Sequence, residues 1–130
     1  MQTLKVLGEG VTLIEDASFT QLIDLFRQAR MIVSVDTGLG HLAAACATPV
    51  IGLFGPTDAR LTGFTGAAAK NLSADFDCAP CMNRICKYAG AGQGVEPACF
   101  STLPVERVWR EIEAIEVRER GSANEAGLVP

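Results

Sequence analysis

The stretch Met31–Asp58, MIVSVDTGLGHLAAACATPVIGLFGPTD, decides how this 130-residue chain folds. It opens with a short apolar run, Met31–Val35, which is rich in β-branched residues and typical of a parallel strand covered on both faces. A second apolar run, Val50–Phe54, follows after a segment long enough for a helical crossover. The pattern therefore predicts a β-α-β unit with parallel strands.

The residues between the two strands predict a helix with a polar start. Asp36 ends the first strand, Thr37 can cap a helix, and Gly38 lets another group approach the backbone closely. The apolar residues that recur at helical spacing and should bury against the sheet are Leu39, Leu42, Ala43 and Cys46. Pro49 closes the turn before the second strand.

Polar residues gather where the two strands end. In open α/β sheets these ends form the ligand crevice, so the loops 36–38 and 55–57 are expected to face the same space. Free amides and the helix dipole favour a phosphate at the helix start, and His41, the only histidine, lies one turn further on. A phosphate and sugar site is therefore predicted, with the candidate residues Asp36, Thr37, Gly38, His41, Gly55, Pro56 and Thr57.

These residues also have purely structural interpretations. Asp36 could be a helix cap, His41 a hydrogen-bonded helix histidine, and the segment 55–57 a turn whose glycine and proline fix the backbone. A turn and a ligand contact are compatible. The acid, the histidine and the second loop occur together in one β-α-β unit, and this combination favours ligand binding.

The same residues carry a family resemblance. VDTGLGHLAAA at 35–45, followed by LFGPTD at 53–58, resembles the signature of glycosyltransferase family 9, the heptosyltransferases that build the inner core of bacterial lipopolysaccharide. The likeness extends to FTQLIDLFRQA, to CAPCMNRIC with the later Cys99, and to LPVERVWREIEAI, and so covers most of residues 11–117. The D-T-G-x-x-H and F-G-P-T pair is fairly specific, whereas only some members share the cysteines and the final helix.

The resemblance implies a GT-B enzyme, in which two Rossmann-like domains face each other across a cleft and the second holds most of the nucleotide sugar. This chain would supply a part of that second, carboxyl-terminal domain: an α/β fold with a parallel sheet flanked by helices and a Cys-rich loop. Matched by position, Asp36 would contact the hydroxyls of the donor sugar. Thr37 and Gly38 would contact the diphosphate, and His41 would lie close to it. The general base is expected in an amino-terminal domain outside this chain, so no catalytic residue is expected here.

For the complete enzyme, the resemblance implies inverting transfer of heptose from ADP-heptose to the lipopolysaccharide core acceptor, with no cofactor required for catalysis. The implied partners are ADP-heptose or a related nucleotide sugar, the acceptor and the missing amino-terminal GT-B domain, and the chain alone is expected to be inactive. The alternative is a noncatalytic sugar-nucleotide-binding module or a truncated relic. A nucleotide-dependent epimerase ranks last, because no G-x-G-x-x-G follows a first strand.

Composition is that of one globular piece with a single core, since 48% of the residues are hydrophobic and 20% are charged. A formal charge of −4 and a pI near 4.9 argue against a nucleic-acid surface, which carries a basic patch. No apolar run approaches the roughly 18 residues of a membrane-spanning helix, and the amino terminus lacks a signal pattern. A cytoplasmic protein is expected, which as a family member would work at the inner membrane face.

Four cysteines form a second constellation, C-x2-C-x4-C-x12-C, from Cys78, Cys81, Cys86 and Cys99. They lie in a loop, residues 77–100, that is poor in apolar residues able to order it. A structural zinc site is the leading interpretation, because thiolates close in sequence are its usual ligands. Free thiols, a disulfide and an iron–sulfur cluster remain as alternatives. Cys46 stands apart and is interpreted as a small buried hydrophobe.

The rest of the chain predicts flanking helices. Ser18 and Gln21 form a capping box before a helix that should cover the sheet with Phe19, Leu22, Ile23, Phe26 and Ala29. Pro104 lies in the first turn of a last helix, 103–117, with an apolar stripe of Val105, Val108, Trp109, Ile112 and Ile115. Trp109 is expected to pack in the core or between domains.

Three further segments have weaker patterns. Residues 11–14 suit a short strand or an extended connection, residues 58–70 a surface loop, and residues 71–76 a short strand. Residues 1–117 are thus expected to form the nucleotide-sugar-binding domain. The remainder, 118–130, lacks periodicity and predicts a flexible tail.

Overall fold

Three strands run parallel in one sheet: β1 (Ile32–Val35), β2 (Val50–Phe54) and β3 (Ala69–Ser73), in that order. The helices are α1 (Phe19–Gln28), α2 (Gly38–Ala45), α3 (Ala59–Thr62) and α4 (Val105–Ala126), with a 3-10 turn at Ala98–Thr102. The computed structural model describes residues 9–90 and 94–126. The predicted parallel α/β fold is therefore confirmed for this part of the chain.

The β1-α2-β2 unit forms as its sequence predicts. Thr37 has extended backbone angles, and its side chain accepts a hydrogen bond from the Gly40 amide, so it is the N-cap of α2. The strands align in register from Ile32 opposite Val50 to Val35 opposite Leu53. Both strands therefore end at the same edge of the sheet, and the loops that follow them are neighbours.

Helices cover both faces of the sheet. On one face, Val50 and Phe54 pack with Ala43 of α2 and with Phe64. On the other face, Ile51, Leu72 and Leu103 form a second buried cluster, against which α4 packs Val108, Ile112 and Ile115. Alternate residues of β2 thus enter opposite clusters, as the period of a strand requires.

The side of α2 that faces the core is made of small residues, which differs from the prediction. Gly40 and Ala43 are buried, Leu42 and Cys46 are half-buried, and Leu39 is 47% exposed. The Phe64 ring fills the space beside Gly40, because only a residue without a Cβ lets the ring approach so closely. The expected burial of Leu39 was therefore wrong, and Cys46 is the C-cap of the helix instead of a fully buried hydrophobe.

Helix α1 begins with the predicted capping box, in which Ser18 and Gln21 exchange hydrogen bonds. Its apolar stripe is only half-buried, and Phe19 is 73% exposed, because α1 packs beside α2 and reaches the core mainly through Phe26. The Thr48 hydroxyl donates to the Phe26 carbonyl over 2.7 Å and joins α1 to the turn before β2. Residues 11–14 are an exposed connection without regular secondary structure, so the strand that they could have formed is absent.

The segment 58–70, predicted as a surface loop, holds α3 and a buried anchor. Asp58 caps α3 by accepting from the Arg60 amide. The Phe64 amide then donates to Asn71 Oδ1, and Asn71 Nδ2 donates back to the Phe64 carbonyl, at 3.0 and 2.9 Å. The buried Phe64 ring holds the segment onto the core, and the following strand starts at Ala69, earlier than expected.

Helix α4 is longer than predicted, because residues 118–126 continue it without a break where a flexible tail was expected. Arg120 pairs with Glu116 one turn earlier, and the Glu, Arg and Ala residues favour a helix even without an apolar stripe. The predicted tail residues 127–130 lie outside the described residues, as do 1–8 and 91–93. Among the described residues, no helix has the length and apolar character needed to cross a bilayer.

Two residues of the α4 stripe lie off the core. Val105 is 75% exposed and Trp109 is 56% exposed, because they occupy the margin of the stripe. The Trp109 indole donates to Glu113 on the same helix. Trp109 is therefore not a core residue of the described chain.

We predict that Gly40→Ala destabilises the protein by about 1–3 kcal/mol, the usual effect of overpacking a core. A Cβ at Gly40 would clash with the buried Phe64 ring. Gly121→Ala is the control, because this glycine is also helical but has nothing within 4 Å of the added Cβ. That substitution should stabilise the protein slightly. Urea unfolding measures both changes, and equal effects would contradict the packing role of Gly40.

Candidate functional site

The loops that follow β1 and β2 enclose a hollow at the carboxyl ends of the strands. Its volume is about 180 Å³, and its lining includes Asp36 from one loop and Gly55, Pro56 and Thr57 from the other. Val35, Leu53 and Phe100 complete the wall. The two loops thus face the same space, as their positions after parallel strands predict.

Asp36 is held by two neighbours. The Thr62 hydroxyl donates to Asp36 Oδ2 over 2.7 Å, and His41 Nε2 lies 3.6 Å from Asp36 Oδ1. The side chain is 17% exposed, so one edge of the carboxylate remains open to solvent. Since Thr37 is the N-cap of α2, the interpretation of Asp36 as a helix cap was wrong.

His41 lies between the carboxylate and an aromatic ring. Its ring meets Phe64 edge to face, with centroids 4.9 Å apart and planes at 88°. This geometry is favourable for aromatic pairs and fixes the plane of the imidazole. The side chain is 47% exposed, so it remains reachable from solvent while Nε2 faces Asp36. Contact of His41 with an anion stays a prediction.

The start of α2 offers backbone donors beside Asp36. The Thr37 hydroxyl accepts a hydrogen bond from the Gly40 amide and lies 3.3 Å from the Ser34 hydroxyl. The amides in the first turn of a helix have no partner within the helix. Gly38 has nothing within 4 Å of the place where a Cβ would sit. The backbone there is open to a ligand, and the dipole of the helix favours an anion.

A second hollow, of about 200 Å³, lies on the other side of the 55–57 turn. Asp58 and Arg60 line it, and Arg60 Nη2 donates to Asp58 Oδ2 over 2.7 Å. The hydrogen bonds from Arg60 hold the pKa of the Asp58 carboxyl below its usual range and raise the pKa of Arg60. Sequence reasoning missed this cation beside the turn, although D-A-R directly follows the signature.

Thr62 and Phe64 were also missed, because they lie in the segment interpreted as a surface loop. The one signal available in the sequence was Phe64, a large apolar residue within a Gly- and Ala-rich stretch. Contact of Thr62 with Asp36 joins residues 26 positions apart and has no local sequence signature.

A larger cavity, of about 500 Å³, lies elsewhere, between α4 and the start of β3. Lys70 and Glu111 line it and pair at 3.7 Å. This cavity opens near the amino ends of the strands, next to Pro49 and Ala69. Open α/β sheets bind their ligands at the carboxyl ends of the strands. Volume alone therefore does not make it the functional site.

The four clustered cysteines meet at one small cavity, of about 10 Å³, that Pro56 also lines. The Cys-rich loop is joined to the 55–57 turn there, since the Met82 amide donates to the Pro56 carbonyl over 2.8 Å. All five cysteines are free thiols, so the disulfide alternative is not formed. Within residues 9–90 and 94–126, no three Cys, His, Asp or Glu side chains are arranged to hold a metal ion, and zinc stays a prediction.

The class of protein follows from this geometry: a parallel α/β domain with an anion-favouring helix start and a carboxylate at the carboxyl end of a strand. The sequence profile of glycosyltransferase family 9 (heptosyltransferase) matches residues 2–91. The chain belongs to this family.

The curated relatives are much longer than this chain. It is 36% identical over 115 residues to lipopolysaccharide heptosyltransferase 1 of Pseudomonas aeruginosa, covering 82% of this chain and 32% of that protein. The enzyme of the same name from Salmonella typhimurium is 40% identical over 82 residues, covering 61% of this chain and 24% of that protein. The chain thus spans about a third or less of the length of these relatives.

A solved structure shares the fold. The E. coli heptosyltransferase WaaC, solved with ADP, superposes with a TM-score of 0.57 and 27% identity, covering 78% of this chain and 25% of that chain. The predicted family is confirmed, and so is the predicted fold, a parallel sheet flanked by helices that matches part of the WaaC structure.

We predict that Cys99 is alkylated more slowly than Cys78 and Cys86 in protein treated with a chelator. Cys99 is 5% exposed whereas the other two are exposed, and its burial, together with the neighbouring Cys78, Cys81 and Cys86, raises the pKa of its thiol. A raised pKa leaves less of the reactive thiolate at neutral pH. Mass spectrometry after timed iodoacetamide treatment measures the order. In urea the difference should vanish, and equal rates in the folded protein would contradict the burial of Cys99.

Proposed function

We propose that this chain is the donor-binding part of a heptosyltransferase-like glycosyltransferase that transfers heptose from ADP-heptose to the lipopolysaccharide inner core. The observation that carries the proposal is the hollow between the loops 36–38 and 55–57, in a chain of family 9. The WaaC structure that shares the fold was solved with ADP, which supports a nucleotide diphosphate as the ligand class.

In the proposed site, Asp36 orients the donor sugar. A carboxylate offers about four acceptor positions, and the bond from Thr62 occupies one of them, so sugar hydroxyls can donate to the others. Positioning of this kind lowers the barrier by holding the reacting carbon in place. Loss of the Asp36 carboxylate is therefore expected to reduce the transfer rate and the affinity for the sugar more than the stability of the fold.

The start of α2 stabilises the leaving group in this proposal. Negative charge grows on the diphosphate as the glycosidic bond breaks, and preorganised amides at Thr37 and Gly38 together with the helix dipole stabilise it. His41 can donate a hydrogen bond there as well, because its half-exposed ring lies one turn from the helix start. Transfer with inversion then needs no metal at this site.

The site on this chain is too small for a whole nucleotide sugar, which favours a second domain that completes it. Ligand pockets usually have about 300–1,000 Å³, whereas the hollow beside Asp36 has about 180 Å³ and the one beside Arg60 about 200 Å³. Such hollows suit the sugar and diphosphate, and leave the adenosine and the acceptor to be held by other parts of the enzyme. We assign those parts, and the general base, to the amino-terminal GT-B domain.

Exposed apolar residues along one edge of the sheet also favour further protein beside this chain. Val33 and Val35 are each 45% exposed on β1, whose outer edge pairs with no strand among the described residues. Trp109 is exposed on α4, and the pair between Arg30 and Glu116 holds the same side of α4 over the start of β1. Further strands of the longer polypeptide would cover this edge. The complete enzyme would work in the cytoplasm, at the inner membrane face where its acceptor lies.

The second candidate is a noncatalytic sugar-nucleotide-binding module or a truncated relic. Its support is the small share of the relatives that the chain spans, 32% of the Pseudomonas aeruginosa protein. Transfer assays of this chain, alone and mixed with a separately produced amino-terminal domain, distinguish the two candidates. Transfer only in the mixture supports the enzyme, whereas binding without transfer in either format supports the module.

We predict that calorimetry detects ADP-heptose binding and that Asp36→Ala removes the advantage of ADP-heptose over ADP. The acid contacts the sugar in this proposal and carries the same sign of charge as the diphosphate, so affinity for ADP itself should not fall. Asp24→Ala, at an exposed position on α1, is the control and should bind like the wild type. If neither ADP nor ADP-heptose binds, with or without the amino-terminal domain, both candidate functions are contradicted.

We further propose a structural zinc ion for Cys78, Cys81, Cys86 and Cys99. Support comes from the C-x2-C-x4-C-x12-C spacing and from the single cavity that all four cysteines line. The thiol groups would have to move closer to coordinate it, since no three described ligand side chains are arranged for a metal. Zinc would then order the loop that contacts the 55–57 turn.

We predict about one zinc ion per chain after expression with added zinc, measured by elemental mass spectrometry. Cys81→Ser and Cys86→Ser should each lose most of the metal, while Cys46→Ser, which lies at the end of α2 outside the cluster, should keep it. A wild-type protein without zinc would rule the site out. Iron with visible absorption would favour the iron–sulfur alternative instead.

A further inference from the structure

Thr62 connects two elements that meet at the hollow. It is the last residue of α3, and its hydroxyl donates to Asp36 Oδ2, which follows β1. The bond joins residues 26 positions apart in the sequence. Thr62 is exposed to solvent, so packing in the core does not explain its place.

The hydroxyl has one proton and two nearby acceptors. Asp36 Oδ2 lies at 2.7 Å, whereas the Asp58 carbonyl, one helical turn earlier, lies at 3.3 Å. Hydrogen bonds to a charged oxygen are shorter and stronger than those to a neutral one. The proton of Thr62 is therefore directed to the carboxylate and not to its own helix.

The platform that carries Thr62 is anchored without Asp36. Asp58 caps α3, and the Gly63 amide donates to the Ala59 carbonyl at the other end. The reciprocal hydrogen bonds between Phe64 and Asn71 attach the next residues to β3. Because these contacts fix α3 without Asp36, Thr62 can orient the Asp36 side chain. The position of Thr62 depends less on Asp36.

We propose that Thr62 is a positioning residue of the donor site, which turns the Asp36 carboxylate so that one oxygen is occupied and the other, beside His41, is available to the sugar. The proposal rests on the proposed donor-binding function. It predicts that Thr62 affects recognition of the sugar and not of the nucleotide.

The first test needs no ligand. The chemical shift of the Asp36 carboxyl carbon is measured by NMR in the wild type, Thr62→Val and Thr62→Ser. Valine has the shape of threonine without the donor, so it should change the shift, while serine keeps the donor and should leave the shift close to that of the wild type. Thr20→Val, at an exposed position on α1, is the matched control and should change nothing at Asp36. An unchanged shift in Thr62→Val overturns the proposal.

The second test uses calorimetry with ADP-heptose and with ADP. Thr62→Val should weaken ADP-heptose binding about tenfold, because the carboxylate that Thr62 no longer holds must be ordered when the sugar binds, and should leave ADP binding unchanged. Thr62→Ser should restore the affinity. In an Asp36→Ala background, Thr62→Val should have no further effect, because the residue acts through the carboxylate.

The outcomes separate this proposal from the function on which it rests. If the wild type prefers ADP-heptose and Thr62→Val weakens both ligands equally, Thr62 has a structural role only and the positioning role is overturned. If the wild type binds neither ligand, the donor-binding function fails, and with it the role of Thr62 in sugar recognition, even where the NMR shift shows that the hydrogen bond exists. Circular dichroism shows whether each variant is folded. If Thr62→Val does not fold, the carboxyl shift and the ligand affinities of Thr62→Ser are compared with those of the wild type instead.

Discussion

The contact between the Phe64 ring and Gly40 is the constraint on which the site depends. The ring fills the space beside Gly40 of α2 and packs with Phe54 of β2, so it joins the helix and the sheet. The His41 ring rests on its edge, and Asn71 holds its backbone from β3. Through this one residue, the helix start, the histidine and the segment that carries Thr62 take fixed positions relative to one another.

The polar side chains around the 55–57 turn form two separate groups. Asp36 faces Thr62 and His41 on one side, while Asp58 binds Arg60 on the other. An anionic ligand beside Asp36 would meet a carboxylate as well as the amides of α2. In the proposed donor site, the amides and the helix dipole would bind the diphosphate, and the carboxylate would accept hydrogen bonds from the neutral hydroxyls of the sugar. This division of roles is consistent with a donor that is charged at one end and polar but uncharged at the other.

The Cys-rich loop belongs to the same assembly. Its cysteines line a cavity against Pro56, and the Met82 amide donates to the carbonyl of that residue, so the loop contacts the 55–57 turn directly. The buried Cys99 lies in the 3-10 turn whose Phe100 lines the hollow itself. The Cys-rich loop and the hollow therefore share Pro56 as a lining residue.

Local patterns in the sequence were enough to predict the β1-α2-β2 unit, the caps at Ser18 and Thr37, and the two loops that meet at the strand ends. Periodicity, capping residues and the rule for parallel sheets act over a few residues and can be recognised without tertiary contacts. The burial of Leu39, the loop at 58–70 and the tail at 118–126 were predicted wrongly. Whether a half-apolar segment is buried, or a polar one stays helical, depends on neighbours that the sequence does not show.

The site divides in the same way. Asp36, Thr37, Gly38, His41 and the residues 55–57 follow strands or start a helix, and their place at the sheet edge is a property of the β-α-β pattern. Thr62 reaches Asp36 only because Phe64 and Asn71 hold α3 against the sheet, and this contact spans 26 positions of the chain. The polypeptide chain thus encodes the family and the frame of the site within short segments. The orientation of its central carboxylate results from packing between distant segments, which no single segment specifies.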